Sequence, residues 1–113
     1  MEVGESKVKA QEEVRAALFR AASAYTDYMV YKADMLEKYA APADMIAEMW
    51  RAGKRTFSDI AADAGLSADA LGRKYGVPYG TVNRWRSVKG PPTHILYMLQ
   101  ICEGLIKQEG QRC

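Results

Sequence analysis

From Glu5 to Tyr39 the chain contains neither glycine nor proline, and beyond that a helix breaker closes every stretch: Pro42, Gly53, Gly65, Gly76 and the run Gly90-Pro91-Pro92. Proline disfavours helix at the residue before it and glycine ends one readily, so this punctuation predicts one long helix followed by several short ones. In the unbroken stretch, apolar or aromatic residues recur at Val14, Leu18, Ala21, Tyr25, Tyr28, Met35 and Tyr39, in steps of four and three with Lys32 in the one polar slot. That is the period of a single helical stripe. A helix running to residue 41 would reach on the order of 50 Å at 1.5 Å per residue. Its stripe needs cover, either by folding back on its own domain or by pairing with a second copy or another protein.

The shorter stretches carry their own start and stop signals. Met45, Ile46, Met49 and Trp50 share one side of a helix for which Gly53 is the expected C-cap, and Thr56 is placed to cap one holding Phe57, Ile60 and Ala61. Ser67 caps the next, Val77-Pro78 leads into another ending near Val88, and Thr93 is the expected cap of a last amphipathic helix bearing Ile95, Leu96, Met98, Leu99, Cys102, Leu105 and Ile106. No alternating β-branched run marks a strand. The fold class expected is all-α: a long N-terminal helix over residues 1–41, a compact bundle of about five short helices over 42–109, and a frayed tail at 110–113.

Charge is unevenly placed. The chain as a whole carries +2, yet from Ala70 to Cys102 there is no Asp or Glu, while Arg73, Lys74, Arg84, Arg86 and Lys89 contribute +5. Residues 1–69 hold nine Lys/Arg against twelve Asp/Glu. A stretch with only positive charge suits a polyanionic partner. No apolar segment is long enough to span a bilayer, and the charged N-terminus lacks the core of a signal peptide, so a soluble, cytoplasmic protein is expected. Cys102 and Cys113 match no metal-ligand spacing and are expected as reduced thiols. With one histidine, His94, and no carboxylate pair, activated nucleophile, phosphate loop or metal cluster, neither catalysis nor a cofactor is expected.

The most informative stretch is S-A-D-A-L-G-R-K-Y-G-V-P-Y-G-T-V-N-R-W-R-S, residues 67–87. Two short helices joined by a tight turn cross closely, so the first needs a small residue at the crossing, which Gly72 supplies. The turn needs a left-handed residue, and Gly76 sits four positions later. Val77, Val82 and Trp85 then fall inward, opposite Leu71 and Tyr75. This spacing resembles the helix-turn-helix of the phage-repressor (Cro and lambda-repressor-like) family. The wider match, T-F-S-D-I-A-A-D-A-G-L-S…Y-G-V-P-Y-G-T-V-N-R-W…P-P, covers about residues 56–105 and looks like small regulators of phages and mobile elements.

The resemblance implies a second helix that lies in the major groove of double-stranded DNA. Carried over by position, its base-facing residues are Pro78, Tyr79, Gly80, Asn83, Arg84 and Ser87. Asn83 suits adenine and Arg84 guanine. Arg73, Lys74, Thr81, Arg86 and Lys89 would hold phosphates. Two departures from the family pattern concern backbone contacts: Arg86 stands where the family usually has glutamate, and the following turn, S-V-K-G-P-P, is shorter. An earlier register, with Ala61 as the small residue and Gly65 at the turn, also fits in part, but it puts Lys74 where a buried apolar residue belongs. The expected function is sequence-specific DNA binding by a homodimeric transcriptional regulator. A DNA-packaging or replication factor using the same motif, and a protein-binding inhibitor using it as scaffold, are the alternatives.

Overall fold

The computed structural model describes residues 3–87 and 89–106, with side chains from residue 11 onward; the end of the helix expected near Val88, the tail at 110–113 and Cys113 lie outside them. Among the described residues the chain is all-helical: α1 (Val3–Ala22), α2 (Tyr28–Tyr39), α3 (Ala43–Lys54), α4 (Phe57–Asp63), α5 (Ala68–Lys74), α6 (Tyr79–Arg86) and α7 (Thr93–Cys102). None of these is long and apolar enough to cross a membrane. They fall into two units, one holding α1–α3 and the other, Arg55–Leu105, holding α4–α7.

The single helix expected through Tyr39 is two. The chain leaves α1 at Ser23, whose hydroxyl donates to the Arg20 carbonyl at 3.0 Å, and Asp27 restarts it. The Asp27 carboxylate accepts from the Met29 amide at 2.9 Å, satisfying a donor that the first turn of α2 leaves without a partner. A capping aspartate therefore breaks the helix where no glycine or proline does. The break lets the aromatic stripe close on itself. Of its residues Leu18 and Met35 are buried, while Val14, Ala21, Tyr25, Tyr28 and Tyr39 are half-buried; Tyr31, outside the stripe, is buried with them. The stripe is thus covered in part within the chain.

Tyr31 ties the elements of this unit together, its hydroxyl donating to the Leu18 carbonyl at 2.8 Å and its ring lying 4.9 Å from that of Trp50. Burial pushes the Tyr31 phenol up to about 12. Gly53 is not the C-cap expected. It lies inside α3, where a Cβ would stand 2.5 Å from the Ala22 Cβ, so its role is to let α1 and α3 approach. Around it Ile46, Met49 and Ala52 are buried with Leu18, Phe19 and Ala22.

The second unit is built on Phe57, Ile60, Ala61, Leu71, Val82 and Leu99, with Tyr75, Val77, Trp85, Ile95 and Leu96 packed around them. Each fully buried side chain of this kind stabilises the fold by about 1.5–3 kcal/mol relative to exposure. Thr56 caps α4 in a reciprocal box with Asp59: Thr56 Oγ1 accepts from the Asp59 amide at 3.1 Å, and Asp59 Oδ2 accepts from the Thr56 amide at 3.0 Å. Ser67 caps α5, as expected. Thr93 does not cap α7; Pro92 is the capping residue and Thr93 the first helical one. Met98, expected on the buried side of α7, is exposed, and the place goes to Gln100. That amide is fully buried yet satisfied, accepting from Arg55 at 2.8 Å and donating to the Leu96 carbonyl at 3.2 Å. Cys102 is disulfide-bonded, which corrects the expected thiol.

Candidate nucleic-acid interface

The geometry of α5, its turn and α6 follows from two glycines. Gly72 is buried, and a Cβ there would collide with Cγ2 of Val82, so no side chain fits between the two helices at their crossing. Gly76 takes φ +71, and around it the Val77 amide donates to the Gly72 carbonyl at 2.9 Å and the Gly76 amide to Arg73 at 3.2 Å. This pair of bonds satisfies the last carbonyls of α5 and turns the chain into Pro78, which opens α6. All seven residues expected as the inner side, Leu71, Gly72, Tyr75, Gly76, Val77, Val82 and Trp85, lie at this crossing or turn, with the Trp85 ring edge-on to Phe57 at 5.3 Å. Lys74, which the earlier register would bury, is exposed.

With Val82 inward, the opposite side of α6 faces out. Tyr79 is 66% exposed, and Gly80, Asn83, Arg84 and Ser87 are exposed with it. Nothing lies within 4 Å of where a Gly80 Cβ would be, so the backbone there is open to close approach. No side chain caps α6, and its first hydrogen bonds to the Pro78 carbonyl come from Thr81 and Val82, both at 3.0 Å. The amides of Tyr79 and Gly80 thus lie in the first turn, where helix donors lack intrahelical acceptors. Thr81 is half-buried. Asn83 is held by its neighbour, Arg86 Nη2 donating to its Oδ1. One lone pair of that oxygen and both amide hydrogens remain for another partner.

The five cations of the acid-free stretch, four expected at phosphate and Arg84 at a base, divide into two sets. Lys74 donates to Glu103 at 2.8 Å, and Arg86 faces Asp69 at 3.5 Å. Glu103, whose side chain is only 6% exposed, also accepts from the Tyr75 hydroxyl. Hydrogen bonds from Lys74 and Tyr75 hold its carboxyl below the ordinary glutamate range, while burial and Glu103 push the Tyr75 phenol up to about 12. Among the described residues, Arg73, Arg84 and Lys89 are exposed and make no ion pair. Arg84 and Lys89 line a cleft of about 490 Å³ together with Trp85, Gly90, Pro91, Pro92 and Thr93, the first residue of α7. The Glu103 and Asp69 pairings were not visible in the sequence. A 33-residue stretch without acid says nothing about acids that fold onto it from either side. Compared with models of protein families, with curated proteins and with solved structures, the chain has no match.

Proposed function

We propose that the protein binds double-stranded DNA through α5, the turn and α6, used as a helix-turn-helix with α6 in the major groove. The observation that carries this reading is the two-sidedness of α6: Val82 locked inward against Gly72, and Tyr79, Gly80, Asn83, Arg84 and Ser87 all turned to solvent. Arg84 is the candidate for guanine and Asn83, steadied by Arg86, for adenine. Arg73, Lys89 and the free amides of the first turn of α6 are the candidates for phosphate. Lys74 and Arg86, already facing carboxylates, contribute position more than charge. A homodimer reading two half-sites about one helical turn apart, as a transcriptional regulator in the cytoplasm, completes the proposal.

The test is selection of bound duplexes from a random pool. A preferred site should emerge, and Asn83→Ala and Arg84→Ala should each relax one position of it at a cost of about 1–3 kcal/mol. Enrichment of no sequence, or a site unchanged in both variants, would overturn base reading by α6.

A further inference from the structure

The stripe that the spacing of the N-terminal segment singles out is buried or half-buried, but α2 carries a second, exposed apolar row. Met29 is 67% exposed, Val30 50% and Leu36 43%, and Ala33 and Ala40 are exposed beside them. Met29, Ala33, Leu36 and Ala40 follow steps of four, three and four, which is the seam spacing of a two-helix coiled coil. Ala40 adds a second sign. It ends α2 with φ 52, a left-handed conformation in which glycine is comfortable and a Cβ is not, and it is the one non-glycine residue of positive φ among those described. A methyl group retained at that cost, exposed at the end of an apolar row, fits a surface that is covered.

Charge indicates what covers it. With Met29 and Leu36 as d positions and Ala33 as the a position between them, Lys32 is a g position and Glu37 the following e position. Neither makes an ion pair among the described residues. In a parallel pair of α2 helices about a two-fold axis, Lys32 of each copy meets Glu37 of the other, giving two symmetric bridges. In an antiparallel pair Lys32 falls beside Tyr39 and Glu37 beside Val30, and neither charge is answered. We infer that this face of α2 binds a second copy of the chain, in parallel. The interface deepens the dimer of the reading above, but it needs no DNA to be measured, so the two can fail separately. The seam is short, so the dimer is weak and concentration-dependent.

Sedimentation velocity on the full chain without DNA, from low to high micromolar concentration, tests it. The expected result is a monomer–dimer equilibrium that Leu36→Glu abolishes without loss of helical circular dichroism, since Leu36 makes no core. Lys32→Glu and Glu37→Lys alone should each weaken association roughly tenfold, and the double variant should restore it. Ala40→Gly should weaken association while raising the thermal midpoint, because it relieves the left-handed residue and removes the methyl. A monomer at every concentration overturns the inference, and would point to a different protein on this face. So does a dimer indifferent to Leu36→Glu, or single reversals that the double variant does not rescue.

Discussion

Gly72 and Gly80 are eight residues apart and each lies within a helix, yet they answer to different demands. At Gly72 an added methyl meets Val82, so Gly72→Ala should lower the stability of its unit by about 1–3 kcal/mol in a denaturant titration. At Gly80 a methyl meets nothing, and alanine is the better helix former by about 1 kcal/mol. Gly80→Ala should therefore leave the fold intact or firmer while weakening DNA binding, if the backbone of α6 approaches a duplex there. Equal DNA affinity in that variant would remove Gly80 from the interface. Glu103 makes a prediction in pH. Its carboxyl is held below the ordinary value by Lys74 and Tyr75, so the stability it contributes is complete above that value and is lost as pH falls through the lowered one. Glu103→Gln should flatten this acid limb of the stability profile, and should leave Lys74 without its carboxylate for phosphate. An acid limb unchanged in Glu103→Gln would show that other carboxylates set it.

Among the elements, the sequence was most legible where a cap and a stop fell at helical distance. Thr56, Ser67, Gly65 and Gly76 all do what their spacing predicts, and with them came α4, α5 and the inner side of α6. Thr56→Ala should cost about 1 kcal/mol, measured as a shift in denaturation midpoint at unchanged slope. A shift no larger than that of an exposed control site would mean the box at α4 is inert. Legibility failed where one residue type serves two purposes. Gly53 reads as a stop but is an approach glycine, because only the position of Ala22 distinguishes the two. Asp27 reads as one more charge in a polar stretch, yet it caps α2 and turns one long helix into two. The heptad stripe was a real period with its purpose left open: its residues are buried or half-buried, and the exposed row from Met29 to Ala40 is hard to see because no large side chain but Met29 and Leu36 marks it.

For the molecule as a whole, the decisive quantity is how much positive charge is available to a partner. Residues 55–105 hold six Lys/Arg and four Asp/Glu. Arg55 pairs with Asp63, Lys74 with Glu103 and Arg86 with Asp69, which leaves Arg73, Arg84 and Lys89. A protein that neutralises a given number of phosphates loses affinity with a log–log salt slope of about −0.9 for each. On a random duplex Arg84 has no guanine to read and meets phosphate with Arg73 and Lys89, so three available cations set a slope of about −3 per bound protomer, where the bare count of five between Ala70 and Cys102 would set one of about −4.5. The most direct measurement is fluorescence anisotropy of a labelled random duplex against salt, for the native chain and for Arg84→Ala. The account predicts non-specific binding in the range of about 10⁻⁴–10⁻⁶ M near physiological salt, a slope near −3 per protomer, and a slope smaller by about 1 in the variant. Absence of binding at low salt, or binding that ignores both salt and Arg84, would contradict it.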